Sequence, residues 1–425
     1  MITINYWNES QRKSMNLIVY ENNFALIQEK RELSAGTPEW IMLSNLPLTM
    51  DESSLRITGI HVKEWRFRQS EGITKETILR ALEGGQILFK QTDEKQKSFK
   101  LIASSPDFII EDPVTKEVLV NPSGQLSVER VPEEVREDPV VTLRVEPSSH
   151  STEVALGYLL DHLSWSAVYI GVLENGILHI KGTLQFINRT GQSFTEVSLQ
   201  AMAGETNRIV SDNSTEPSVM MLKESSEYSQ VTEEGEGDLH LYTIPFLVSL
   251  PDRQSTMIPF VQADAAYRLF YAVTSSDDHP STVVEWTHMS DTPLSKGKIT
   301  FYYGSGGREY FAGEDRMSFT PKGKEVQSVL GRAVDIDSEH EVIRSYLSGE
   351  DTVEDHVYRI TSRKDTPAEV IISHAIYGRM WELIDASADI LAKTANELQL
   401  RVTVQPDETK IVTFSIKIIK QKRRS

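Results

Sequence analysis

The residues best suited to chemistry are three carboxylates at alternate positions, Asp335, Asp337 and Glu339. Side chains at alternate positions lie on one face of a β-strand, and hard cations such as Ca²⁺ bind several oxygen ligands. The segment therefore predicts either a cation site or a solvated strand face. The glycine of a calcium-binding loop is missing from its expected place, and these carboxylates belong to the strongest metal-like cluster in the sequence.

Two other segments contain residue types found in catalytic or phosphate-binding sites. Asp161, His162 and Ser164 could form an acid–base–nucleophile set, but neighbours on an extended chain point to opposite faces. We interpret His162 as a turn residue packed near Trp165. The glycine-rich segment 304–307 follows a strand-like run, whereas a phosphate site requires a helix N-terminus next, so the segment predicts a hairpin loop.

Aromatic residues are concentrated between positions 158 and 194. A sugar or a nucleobase could stack on such side chains, but aromatic residues at strand spacing usually belong to a hydrophobic core. The sequence therefore predicts core positions for Trp165, Tyr169, Phe186 and Phe194. No catalytic residue and no cofactor is assigned.

Alternating patterns that predict strands recur along the chain. Two such runs flank residues 21–23 and predict a hairpin, and residues 40–43 predict a third strand. Residues 55–67 alternate throughout and predict one long strand, with a bulge at Gly59. Residues 74–83 predict a short helix that is capped by Thr74. Beyond residue 139, strand signals recur every 8–12 residues or so, which is typical of β-sandwiches.

The predicted fold class is all-β, with two or three antiparallel β-sandwich-like domains, a long acidic loop and few short helices. The chain has 425 residues, which is too long for one ordinary domain. The acidic, proline-bearing segment 131–139 is the predicted linker. The predicted parts are an N-terminal β-rich domain (1–138), a first sandwich (139–293) that contains an acidic insertion (205–238), a second sandwich (294–419) and a basic tail (420–425).

Composition narrows the function classes. The net charge of −18 disfavours a nucleic-acid partner. The chain has no cysteine, which excludes disulfides, thiolate metal sites and cysteine nucleophiles. The first residues lack the pattern of a leader peptide, and no apolar run approaches the ~18 residues of a spanning helix. We therefore expect a cytoplasmic protein without a membrane span.

The segment Y-L-L-D-H-L-S-W-S-A-V-Y at 158–169 resembles the signature of DUF4139, a bacterial domain family of unknown function. The run F-I-N-R-T-G-Q-S-F-T-E-V-S-L-Q-A-M-A-G at 186–204 is similar to the asparagine–glycine turn and closing strand of that family. Segments 292–302, 311–315, 320–325 and 331–336 follow in the family's order, so the resemblance covers about 140–418. It implies structural roles for the motif residues Tyr158, Trp165, Tyr169, Asn188, Gly191, Gly204, Gly297, Gly313 and Trp381.

Some relatives in this family are labelled mucoidy inhibitors and carry a long coiled coil between their two parts. This chain has no heptad run, so it departs from that pattern. The family offers no catalytic residues to transfer.

Two functions from different classes follow from the sequence. The first is a non-enzymatic β-rich scaffold or protein-interaction protein that self-associates through sheet edges. The alternative is a carbohydrate-binding or hydrolytic protein whose carboxylates converge only in the fold, since glycosidic chemistry needs two acids at a defined separation. A third hypothesis is cation-dependent assembly through the cluster at Asp335.

Overall fold

The computed structural model describes residues 4–7, 11–33, 36, 39–91, 95–132, 135–146, 152–204, 206–208, 240–275, 279–377 and 380–420. These residues form thirty β-strands and one α-helix, which confirms the predicted all-β class. Except for residues 206–208, the predicted acidic insertion at 205–238 lies outside the described residues. The basic tail is described only at Lys420.

The first half of the chain contains the helix α1 (Lys75–Ala81). The strands up to residue 203 are, in chain order, β1 (Ile4–Trp7), β2 (Arg12–Tyr20), β3 (Phe24–Leu33), β4 (Trp40–Leu43), β5 (Met50–Thr58), β6 (Val62–Arg68), β7 (Gln86–Gln91), β8 (Lys97–Ala103), β9 (Ile109–Glu111), β10 (Val118–Val120), β11 (Gly124–Ser127), β12 (Val140–Val145), β13 (Thr152–Asp161), β14 (Leu163–Glu174), β15 (Ile177–Asn188) and β16 (Phe194–Ala203).

The second half is built from strands alone within its described residues. They are β17 (His240–Thr243), β18 (Val248–Leu250), β19 (Gln254–Thr274), β20 (Ser281–Thr287), β21 (Gly297–Ser305), β22 (Arg308–Met317), β23 (Glu325–Arg332), β24 (Ile336–Ser348), β25 (Asp351–Ser362), β26 (Ala368–Ala375), β27 (Met380–Ala386), β28 (Asp389–Lys393), β29 (Glu397–Val404) and β30 (Thr409–Ile419).

The chain divides into two compact units, each assembled from separated segments. Unit 1 comprises Met1–Trp165, Phe186–Val210 and Glu234–Thr256, and unit 2 comprises Ser166–Gln185, Ser211–Glu233 and Met257–Ser425. The segments interleave because strands far apart in sequence pair, as β16 does in parallel with β2. The predicted boundary after residue 138 lies within unit 1, and the predicted boundary after residue 293 lies within unit 2.

Unit 1 contains three sheets. Their strand orders are β17-β16-β2-β3-β13-β5 with β18 beside β16, β1-β4-β12-β6, and β10-β9-β8-β7-β11. The predicted hairpin of β2 and β3 is present, and Asn23 in its turn has a φ of 63°. The predicted helix is also present: the Thr77 backbone N–H donates to Thr74 Oγ1 at 3.1 Å, and Leu79 packs into the core of the third sheet.

The prediction of one long strand at 55–67 was wrong. The segment forms β5 and β6, which belong to different sheets. Gly59 lies between them with a φ of 95°, and a Cβ atom there would lie 2.4 Å from the Glu153 carbonyl oxygen. The sequence alternates on both sides of Gly59, so the pattern alone predicts one strand. The chain changes direction at Gly59, because a residue without a Cβ atom can adopt this positive φ and approach the Glu153 backbone.

Unit 2 contains a sandwich of two sheets. One has the order β22-β21-β14-β15-β19-β26-β29-β28, with β20 and β23 attached through β19, and the other has the order β24-β25-β30-β27. Val370 and Leu400 from the first sheet share one apolar core with Ile360 and Phe414 from the second. The inward side chains of both sheets therefore occupy the same space, as sandwich packing requires.

Gly297, a motif residue, offers a test of the β14–β21 pairing in unit 2. It lies opposite Ala167 in a parallel ladder, and a Cβ atom there would lie 2.2 Å from the Ala167 carbonyl oxygen. We expect Gly297→Ala to destabilise the protein by roughly 1–3 kcal/mol, or more, because backbone has to move. Urea unfolding followed by circular dichroism measures this loss.

Gly157 in β13 provides the matched control. A Cβ atom there would make ordinary contact with Arg56, at 3.5 Å from its Nη2 atom. Gly157→Ala should be neutral or stabilising by roughly 0.5–1 kcal/mol, since alanine loses less backbone entropy in a strand. Equal losses in the two variants would contradict the proposed clash.

Candidate functional site

The three carboxylates predicted to bind a cation lie at and before the start of β24. Asp335 is exposed and precedes the strand. Asp337 Oδ2 lies 2.5 Å from Arg363 Nη2, and its other oxygen lies 3.5 Å from His279 Nδ1. Glu339 is exposed and pairs in register with Arg359. The cation site stays a prediction, and the guanidinium group already neutralises one of its carboxylates.

The remaining segments with catalytic residue types have structural roles. His162 lies in the turn between β13 and β14 with a φ of 66°, as predicted. Gly306 and Gly307 form the β21–β22 hairpin loop, with φ values of 57° and 77°. The aromatic residues predicted to be core are buried in the structure, namely Trp165, Tyr169, Phe186 and Phe194.

The aromatic motif residues at 158–169 are buried and use their polar atoms locally. Tyr158 belongs to unit 1, and its side chain is buried. Trp165 Nε1–H donates to the Met202 carbonyl at 3.0 Å, and Tyr169 O–H donates to the Ser295 carbonyl at 2.8 Å. The first bond ties β14 to β16, and the second ties β14 to the segment before β21, so the polar atoms of both rings have structural partners.

Asn188 and Trp381 have similar structural roles. The side-chain N–H groups of Asn188 donate to the Gln192 carbonyl at 2.8 Å and to the Leu250 carbonyl at 2.9 Å. Trp381 Nε1–H donates to the Ala395 carbonyl at 3.0 Å. Each residue therefore fixes a loop to the strand that carries it.

The glycines of the motif occupy positions that restrict side chains. Gly191 and Gly204 have φ values of 81° and 122°, where residues with a Cβ atom are strained. A Cβ atom at Gly313 would lie 2.1 Å from the Leu330 carbonyl oxygen. The motif thus describes turns and close backbone contacts in this chain.

A cleft of about 780 Å³ opens on unit 1. Polar side chains from separate segments line it, including Ser70, Arg136, Glu137, Asp138 and Gln192. The Asp138 carboxylate accepts a hydrogen bond from the Asn45 backbone N–H. The volume of the cleft is within the range of small-molecule sites, and its two carboxylates, Glu137 and Asp138, are adjacent in sequence.

Strand β24 forms an exposed edge of unit 2. Among the described strands it pairs only with β25, and every residue from Glu341 to Ser348 is exposed. A bulge interrupts the pairing between Val342 and Arg344. The strand carries four exposed apolar side chains, which we call the edge surface: Val342, Ile343, Tyr346 and Leu347.

Three histidines lie together between the two sheets of unit 2, and we call them the histidine cluster. His340 is on β24, His356 is on β25 and His374 is on β26 of the facing sheet. One ring nitrogen from each lies within 4.8 Å of one from each of the others. The alternation of β25 places His356 and Tyr358 on the same inward face.

Short polar contacts hold the histidine cluster. His340 Nε2 and His356 Nδ1 are 3.1 Å apart, so they share a hydrogen bond. Tyr358 Oη lies 2.9 Å from His374 Nδ1. His356 Nε2 lies 3.6 Å from Glu354 Oε2 and has no hydrogen-bond partner among the described residues, although His356 is only 3% exposed.

Aromatic rings enclose the histidine cluster. The His356 ring stacks on Phe414, with centroids 4.8 Å apart and planes at 7°. The His340 ring stacks on Tyr358 at 4.4 Å. Both contacts join cross-strand neighbours, because His356 pairs with Phe414 and His340 pairs with Tyr358.

This environment keeps the imidazoles neutral. Burial, with a smaller effect of the neighbouring histidines, lowers the pKa of His374 to about 3 and the pKa of His356 to about 4. The nearby Asp355 carboxylate partly opposes the shift at His356. Burial also lowers the pKa of His340 and raises the pKa of Tyr358 well above its usual value.

The sequence did not predict the histidine cluster. His340 directly follows Glu339 of the predicted cation site in the sequence, but Asp337 and Glu339 lie on the opposite face of β24 from His340. His356 and His374 each stand alone within strand-like runs. Only the strand register and the facing of two sheets bring the rings together, and no local spacing signals that arrangement.

Comparison with models of known protein families finds no match, and no curated protein sequence matches this chain significantly. The resemblance to DUF4139 therefore stays a prediction. In the part of the chain that the structure describes, no helix is long and apolar enough to cross a membrane.

The neutral histidines predict a pH dependence of stability. Below their ordinary pKa of 6.5, the unfolded chain binds protons that folded His356 and His374 do not bind. The free energy of unfolding should therefore fall as the pH is lowered from 6.5 towards 4. At about pH 5 each histidine accounts for up to about 2 kcal/mol of this loss.

Urea unfolding between pH 7 and pH 5 measures this effect. His374→Phe should reduce the loss of stability on acidification, since one buried imidazole no longer has to stay neutral. Val114→Ala, at an 86% exposed position in unit 1, provides the control and should keep the slope of the original chain. The same slope in all three proteins would contradict the predicted contribution of the cluster, because other titrating groups are common to all of them.

Proposed function

We propose that this chain is a non-enzymatic, β-rich interaction protein that self-associates through β24. The observation that supports it is the edge surface on a strand that pairs on one side only among the described strands. An unpaired edge presents backbone N–H and C=O groups to another strand. Leu347 is 75% exposed and Ile343 is 57% exposed, so apolar area is available beside those groups.

A second copy of the chain suits this edge because β24 is nearly self-complementary in charge. Antiparallel pairing of two β24 strands about an axis between Val342 and Ile343 brings Glu341 of one copy opposite Arg344 of the other. The axis also brings Val342 of one copy opposite Ile343 of the other. Opposite charges and apolar residues in facing positions both favour cross-strand pairing.

The bulge in β24 limits how far such pairing extends. A bulge twists an edge and discourages a long ladder. We therefore expect contact between the edge surfaces to contribute more than backbone hydrogen bonds. The association should be sensitive to the apolar side chains on either side of the bulge.

Replacing edge-surface residues tests the proposal. We expect the original chain to form a dimer at micromolar concentration, and Ile343→Lys with Leu347→Lys to be monomeric at the same concentration. The lysines that this variant introduces at position 343 of both copies lie beside each other at the axis and repel, and the apolar contact of Ile343 and Leu347 is lost. Light scattering after size-exclusion chromatography gives the mass. Val114→Lys, at an 86% exposed position in unit 1, is the control and should dimerise normally.

A charge exchange distinguishes specific pairing at this axis from nonspecific hydrophobic association. Glu341→Arg should weaken dimerisation at least about tenfold, and adding Arg344→Glu should restore it, as expected for a coupled pair. These residues also contact Arg359 at 3.2 Å and Asp355 at 2.8 Å within the chain. Circular dichroism must therefore show equal folding. A monomeric original chain, or a double variant no better than Glu341→Arg, would contradict the proposal.

The same proposal includes membership of the DUF4139 family and a cytoplasmic location. Membership of the family is supported by the motif residues, because they occupy turns and core positions, as the resemblance implies. The lack of cysteine in the chain mildly supports the cytoplasmic location.

The cleft in unit 1 favours a second candidate function, binding of a carbohydrate. Its lining combines a guanidinium group with carboxylate and amide groups, which are suited to sugar hydroxyls. We expect Gln192→Ala to reduce retardation of the protein in gels that contain a bound polysaccharide, because one amide partner is lost. Lack of retardation of the original chain by any tested polysaccharide would count against this function.

A further inference from the structure

We propose that the histidine cluster binds one divalent transition-metal ion of the Zn²⁺ class through nitrogen atoms of His340, His356 and His374. The proposal does not depend on self-association or on the cleft. It rests on the geometry of three imidazoles that converge between the two sheets of unit 2.

The spacing of the ring nitrogens fits a tetrahedral ion. Zn–N bonds of about 2.0–2.1 Å place two ligand atoms of a tetrahedron about 3.3 Å apart. His340 Nε2 and His356 Nδ1 are 3.1 Å apart, and each of the three histidines has one ring nitrogen within 4.8 Å of a ring nitrogen of the other two. Small ring movements therefore complete the set, and the ion replaces the hydrogen bond between the first two rings.

The groups behind the rings match those that support metal-bound histidines. Such histidines donate their second N–H to a carboxylate, a carbonyl or another oxygen, which fixes the tautomer. Tyr358 Oη lies 2.9 Å from His374 Nδ1, which directs His374 Nε2 to the ion. Glu354 Oε2 lies 3.6 Å from His356 Nε2, which leaves His356 Nδ1 as the ligand atom.

The buried Nε2 atom of His356 is the independent sign of a ligand site. It lacks a hydrogen-bond partner among the described residues, and a buried polar atom without one is costly. Metal binding at Nδ1 makes Nε2–H more acidic and draws it towards Glu354, whose carboxylate then compensates the charge of the ion.

The donor set selects the class of ion. Neutral imidazole nitrogens bind Zn²⁺, Cu²⁺, Ni²⁺ and Co²⁺, whereas Ca²⁺ and Mg²⁺ require oxygen ligands. Asp337 and Glu339 lie on the opposite face of β24 from His340, so they do not add oxygens to the set. His340 is partly exposed at the sheet edge, which gives the ion an entry route and a position for water as the fourth ligand.

Metal binding to untagged, chelator-treated protein tests the proposal. We expect equilibrium dialysis with Zn²⁺, followed by elemental analysis, to give about one bound ion per chain. Co²⁺ should give the intense visible absorption of a four-coordinate site. His340→Gln should weaken Zn²⁺ binding at least about tenfold and abolish the cobalt spectrum. His340 is the ligand least buried in the core, so this variant is the one best placed to fold.

Two further variants separate a metal site from surface binding. His179→Gln removes a half-buried histidine that lies beside Asp264, outside the histidine cluster, and should leave both readouts unchanged. Tyr358→Phe keeps the stacked ring but loses the oxygen behind His374, and should weaken Zn²⁺ binding by roughly 10–100-fold. Zn²⁺ should also raise the melting temperature of the original chain and of His179→Gln, but not of His340→Gln.

The proposal is overturned if the original chain binds no Zn²⁺ in dialysis or if His340→Gln and His179→Gln bind it equally. Binding that gives no four-coordinate cobalt spectrum also counts against it. If Tyr358→Phe folds and binds Zn²⁺ with unchanged affinity, Tyr358 does not have the assigned role. The three histidine ligands are then tested by His340→Gln.

Discussion

The arrangement of unit 2 depends on the alternation of side chains along its strands. Successive side chains point to opposite faces of a strand, so only the inward-facing side chains can fill the space between the two sheets. Along β25 the inward positions are His356, Tyr358 and Ile360, which pass from the imidazoles into the apolar core. A shift of one residue in register would bring their outward neighbours into that space, so the core and the histidine cluster are fixed by the same pairing.

Much of the local structure could be predicted from the sequence, whereas the candidate site could not. The β2–β3 hairpin, the cap at Thr74 and the buried aromatics have signals within a few residues of each other. The split at Gly59 shows the limit, since alternation alone does not reveal that a strand leaves its sheet. His340, His356 and His374 lie on three strands of two sheets, and their convergence depends on pairings between distant residues.

The energetic cost of the histidine cluster argues that its residues do more than fill space. An apolar core favours leucine or phenylalanine, which need no hydrogen-bond partners, whereas a buried imidazole must stay neutral and have its nitrogens satisfied. The pKa of His374 falls to about 3 because the folded chain disfavours its charge. Neutral imidazole is also the form that binds a metal ion, so the same burial that lowers stability in acid prepares the ligands.

The two proposals for unit 2 meet on β24. His340 and the edge surface belong to the same strand, and an ion held by His340 and His374 would join β24 to the facing sheet. If a metal ion fixes β24 at His340, the strand loses less conformational entropy when it pairs with a second copy, and such preorganisation strengthens binding. If both proposals hold, linkage requires that dimerisation increase metal affinity by the factor by which metal increases dimerisation. If metal binding and dimerisation do not affect each other, the bulge between Val342 and Arg344 uncouples His340 from the edge surface.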